Sequence, residues 1–102
     1  MNLDYDIWIA MATLKPLEGN NDLGGASGAI VNILDCAINK EDFILKAQNK
    51  LNEFGFYLVE LEDIELFNFD KNYDDNLNEI AEQVKISKNF RWGSFYTYDE
   101  EE

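Results

Sequence analysis

The side chains of this sequence that could do chemistry are almost all carboxylates. Ser27, Ser87 and Ser94 have no histidine anywhere in the chain to activate them, and a hydroxyl without a neighbouring base is a weak nucleophile. Cys36 lies within an apolar run, where burial disfavours the thiolate, so it reads as a small core residue. The glycine-rich stretch GNNDLGGASGA has neither a Walker nor a dinucleotide-binding pattern. It leads into a strand rather than a helix N-terminus, and Glu18 and Asp22 would repel a phosphate. From Asp70, DKNYDDNLNEI sets Asp70, Asn72, Asp74 and Asn76 at alternate positions, as a calcium loop does. The central glycine is missing, Glu79 comes too early, and a helix has already begun. Paired acids could hydrolyse a glycoside, but that chemistry needs a cleft that a small two-layer domain seldom provides. The expectation is a protein that is not an enzyme, with no metal and no cofactor.

The balance of charge says more. Twenty-one acidic residues face eight basic ones, for a formal net charge of -13. Such a chain is repelled by phosphate backbones and anionic lipid, which disfavours nucleic acid and membrane surfaces as direct partners. A basic protein is the electrostatically preferred partner. The chain has no long apolar run that could span a bilayer, its opening MNLDYDIW lacks a secretory leader pattern, and a lone cysteine cannot form an internal disulfide. The expected location is the cytoplasm.

The acids must be positioned by something. At 102 residues, with 46% apolar and 14% aromatic side chains, the chain fits one compact domain over 1–102, with an acidic tail at 99–102. YDIWIAMATL (5–14) reads as a well-covered strand ended by Pro16, and a second strand runs from Gly28 to near Ala37. The loop between them, 18–28, permits an extended hairpin. Asn39 is placed to cap a helix over 40–54, with Glu41 and Asp42 in its first turn, Phe43, Ala47, Leu51 and Phe54 at helical spacing, and Gly55 as its terminator. Leu77, Ile80, Ala81 and Val84 mark a second helix ending near Ile86.

Between the helices, Phe56 to Phe67 is strand-like yet contains VELEDIELF, with four carboxylates in the six positions 60–65. Strands disfavour acids and neighbouring like charges. Alternation puts Tyr57, Val59 and Leu61 on one face and then slips at Glu62-Asp63, so a bulge or bend is expected there. The last strand, FRWGSFYTY (90–98), gives Phe90, Trp92, Tyr96 and Tyr98 one parity and Phe95 the other. Arg91 is its only basic residue, which argues against an RNA platform. The order β-β-α-β-α-β suggests an α+β fold with one mainly antiparallel sheet of about four strands and both helices on one face.

Small size, strong acidity, no catalytic constellation and this mixed layout resemble, as a type, the bacterial immunity proteins encoded beside polymorphic or contact-dependent toxins. That resemblance implies a protein that binds a basic toxin or nuclease and occludes it. Small phage inhibitors and DNA mimics share these gross features, and a small ligand-binding or structural domain, or a homodimeric subunit, is a further alternative. The candidate partner-binding surface is Glu60, Glu62, Asp63, Glu65, Asp70, Asp74 and Asp75, with Trp92, Tyr96 and Tyr98 as aromatic anchors, a residue class enriched at interfaces.

Overall fold

The computed structural model describes residues 5–71, 73 and 75–99. The elements in order are β1 (Asp6–Pro16), β2 (Gly28–Ala37), α1 (Lys40–Glu53), β3 (Phe56–Leu66), α2 (Asp75–Ser87), β4 (Arg91–Trp92) and β5 (Tyr96–Tyr98). They form an α+β domain around a single sheet in which every pairing is antiparallel. Its order is β3-β1-β2-β4, with β5 also on β2. β1 and β2 make the expected hairpin, in register from Asp6↔Ala37 to Leu14↔Ala29. The loop joining them is tied down rather than loose. Leu23 is buried in the core, and Asn20 Nδ2 donates to the Gly55 carbonyl oxygen at 2.6 Å.

α1 begins and ends as its sequence dictates. Asn39 accepts from the Asp42 N–H at 2.8 Å, satisfying one of the donors a helix start leaves free. Gly55 follows α1 at φ +90°, a left-handed conformation that glycine adopts without steric cost.

The sequence predicts both helices on one face; in the structure each helix covers its own. Strand side chains alternate, so the odd and even positions of a strand serve opposite layers. Ala10, Ala12 and Leu14 of β1 and Val31 and Ile33 of β2 pack with Phe43, Ala47 and Leu51 of α1. Ile9, Leu34 and Cys36 point the other way and pack with Leu77, Ile80, Ala81 and Val84 of α2. Both central strands are apolar on both parities because both of their faces are covered, at least in part.

The final aromatic segment is also divided. Residues 93–95 interrupt it, and the interruption resets its alternation. Phe90, Trp92 and Phe95 turn into the α1 layer, while Tyr96 pairs with Ile30 and Tyr98 with Gly28. The uniform alternation read for FRWGSFYTY therefore fails at Gly93.

Candidate functional site

The chemistry-bearing surface is built on β3, an edge strand hydrogen-bonded only to β1 among the described strands. Its pairing slips twice. Between Ile9↔Glu65 and Met11↔Glu62, β1 advances two residues and β3 three. This is the irregularity expected at Glu62-Asp63, and Asp63 carries it at φ +54°, a left-handed value that Asp tolerates better than most residues. A second slip, between Thr13↔Glu60 and Leu14↔Leu58, inserts Val59. It separates residues that simple alternation would join. Leu61 packs against the core, whereas Tyr57 and Val59 are exposed. Bulges of this kind also twist an edge strand and discourage indiscriminate pairing.

These shifts decide which acids stand together. Glu60 pairs with Thr13, and Thr13 with Ile30, which pairs with Tyr96. Glu62 pairs with Met11, and Met11 with Asn32. All of these positions lie on the α2 side of the sheet, but α2 itself packs near Ile9, Leu34 and Cys36. The half of this face nearer the β1–β2 loop is left open. Ile30 is 37%, Tyr57 62% and Tyr96 67% exposed. Tyr98 closes one end by lying over Gly28, where a Cβ would come within 2.5 Å of its Oη and 2.7 Å of the Leu14 carbonyl oxygen. The open surface thus has carboxylates at the β3 margin and tyrosines at the β5 margin, with small and aliphatic residues between.

Electrostatics separate the acids further. Glu60 and Glu62, two apart on one strand, repel each other, and the charge of Glu60 raises the Glu62 carboxyl above its ordinary range. Glu65 behaves oppositely. Lys71 Nζ and Tyr73 Oη both donate to its Oε1 at 3.0 Å, and these bonds, that from Lys71 foremost, hold its carboxyl below the usual range. Glu65 is therefore engaged within the chain, fastening the segment after β3. Tyr73 in turn stacks on Phe67 at 4.3 Å between centroids.

Of the expected surface residues, Glu60, Glu62 and Tyr96 share the open face, with Tyr98 half-buried at its border. Asp63 sits on the bulge beside them. Asp70 lies in the turn after β3 and Asp75 opens α2, so neither belongs to these rows. Asp74 is outside the described residues. Trp92 belongs to the other layer, within an aromatic cluster whose rings lie at 4.9 Å (Phe54), 5.6 Å (Phe90), 6.0 Å (Phe56) and 4.9 Å (Phe95). It is a packing residue and not an exposed anchor. Tyr57 and Ile30 also contribute to this surface, which the sequence pattern does not signal, since Tyr57 reads as an inward residue until the Val59 bulge is known.

Among the described residues no cluster of three or more acids and cysteines is arranged to hold a metal ion, and no helix is long and apolar enough to cross a membrane. No family model matches the chain, and neither a curated protein nor a solved structure is detectably similar to it.

Proposed function

We propose that this chain is a non-catalytic binding protein of the immunity or inhibitor type, which docks the open half of its sheet on a basic toxin or nuclease domain and occludes it. The observation that carries this reading is the row Glu60–Thr13–Ile30–Tyr96. It presents a carboxylate, with that of Glu62 in the neighbouring row, apolar surface and an exposed aromatic ring on one sheet face in a chain of net charge -13. The two ends of that row do different work. Carboxylates raise the rate of encounter with a cationic surface and select against wrong partners. Tyrosine rings, with few rotamers to freeze, supply contact area that holds the complex together. Glu60 and Glu62 supply charge at the least internal cost, since their mutual repulsion is relieved when a lysine or arginine of the partner arrives.

The test is binding to the product of the reading frame adjacent to its own, with wild type compared against Glu60→Lys/Glu62→Lys and Tyr96→Ala. A neighbour that is neither bound nor inhibited by the wild-type chain rejects the reading.

A further inference from the structure

Across the sheet from the docking face, and toward the other end of β2, a recess of about 260 Å³ opens between α1 and the turn that follows α2. It lies on a different side of the domain from the Tyr96 row, and nothing in the proposed function uses it. Asp35 lines it and is only 4% exposed. Among the described residues its carboxylate accepts one hydrogen bond, from the adjacent Cys36 N–H to Oδ1 at 2.7 Å. A carboxylate has about four acceptor positions, so Asp35 keeps acceptor capacity open toward the recess. Burial accordingly pushes the Asp35 carboxyl above its ordinary range, against the pull of Lys46 and Lys50.

The rim has the complementary need. Lys46, Lys50 and Lys88, three of the chain's eight basic residues, line this one recess. Lys46 already donates to the Cys36 carbonyl oxygen at 3.0 Å and pairs with Asp42 at 3.4 Å. Lys50 pairs with Glu53 at 3.3 Å. Lys88 makes no ion pair among the described residues. Its backbone adopts φ +61° and donates to the Val84 carbonyl oxygen at 2.8 Å, which fixes where the exposed side chain is rooted. The recess is therefore lined by a carboxylate with open acceptor positions and by an ammonium that has no ion pair among the described residues. A simple anion would meet Asp35 and Glu53, and a simple cation would meet three lysines. A molecule with a charge of each sign satisfies both. The volume corresponds to about nine waters at ~30 Å³ each, enough for a ligand of about ten non-hydrogen atoms.

We infer that this recess binds a free amino acid, its ammonium group donating to Asp35 and its carboxylate accepting from Lys88, with Lys50 and the amides of Asn49 and Asn89 beside it. The site is separate from the partner surface, so the two readings stand or fall apart.

The experiment follows the backbone amides of Asp35, Cys36 and Asn89 by ¹H–¹⁵N spectroscopy. Each common protein amino acid is titrated to about 20 mM, with methylammonium and acetate as single-charge controls, a range that captures millimolar affinity. At least one amino acid gives saturable shifts confined to this end of the sheet, neither control reproduces them, and Asp35→Asn and Lys88→Ala each weaken the binding about tenfold or more. The inference is overturned by the absence of any saturable shift, by equal saturation with either control, or by undiminished binding in a folded Asp35→Asn or Lys88→Ala protein. Asp35→Asn removes a desolvated charge, and Lys88 is exposed, so at least the second variant folds and keeps the test decisive.

Discussion

Glu60 and Tyr96 stand in one row across the sheet, three strands apart, with Thr13 and Ile30 between them. Adjacent strands are about 4.8 Å apart, so the two side chains are rooted about 14 Å from each other. That distance is fixed by backbone hydrogen bonds rather than by flexible side chains. A partner that engages both must present a cationic group and an apolar or aromatic contact at a matching separation, on a surface flat enough to lie along the row.

The acids of β3 divide into two kinds, and pH distinguishes them. Glu65 has a folded-state carboxyl held below its unfolded range by Lys71 and Tyr73. Its stabilising contribution is present above the unfolded value and is lost as pH falls through the depressed folded value. Glu62 is raised by Glu60, so it opposes folding increasingly as pH climbs through its folded value. Glu65→Gln therefore lowers the urea midpoint at pH 7, and the difference from wild type vanishes in strong acid. Glu62→Gln leaves the midpoint unchanged or raises it at pH 7. Urea melts of both variants across the acid range check the contrast, and equal behaviour of the two would refute it.

The assignment of the helices to opposite faces predicts additivity. Leu51→Ala opens a cavity in the α1 layer and Val84→Ala one in the α2 layer, with the sheet between them. Their costs are on the order of 2–4 and about 2 kcal/mol respectively. The double variant should lose their sum to within about 0.5 kcal/mol, as measured by chemical denaturation. A coupling much larger than that would mean that the two side chains share one core.

Gly28 tests how the tyrosine margin is held. The Tyr98 ring occupies the space a Cβ would need, and the Leu14 carbonyl oxygen, a backbone atom, would also lie within 2.7 Å of it. Gly28→Ala should cost about 1–3 kcal/mol through overpacking and strand displacement. It should also speed hydrogen exchange at the amides of Tyr96–Tyr98 while leaving α2 protected. An unperturbed β5 would show that Tyr98 is not seated on Gly28.

Much of this architecture is legible from local chemistry. Asn39, Gly55 and the 3.6-residue spacing of Phe43, Ala47 and Leu51 define α1 without any tertiary information. The slip at Glu62-Asp63 is visible because two apolar sets of opposite parity meet there, and the bulge lies at that point. What the sequence conceals is long-range. The bulge at Val59 has no glycine or proline to announce it, so Tyr57 reads as inward and is exposed. Trp92 and Tyr96 have one parity in the sequence but opposite faces in space, because the break at residues 93–95 is set by pairing with β2. The apolar character of β1 and β2 on both parities does hint at two covered faces, but an antiparallel hairpin with one wet face competes as a reading until α2 is placed. Asp35 gives no local sign at all, since an acid at one position of a β2 strand is indistinguishable by pattern from a solvent-facing one.

The docking account is tested most directly by the association rate constant for this chain and the product of the reading frame adjacent to its own, followed by stopped-flow mixing from about 50 to about 500 mM salt, where screening tightens from ~14 to ~4 Å. The account predicts that the rate constant falls about tenfold or more over that range, that Glu60→Lys/Glu62→Lys lowers it comparably at low salt, and that Tyr96→Ala acts on dissociation instead. A rate constant indifferent to salt and to the reversal of Glu60 and Glu62 would contradict it.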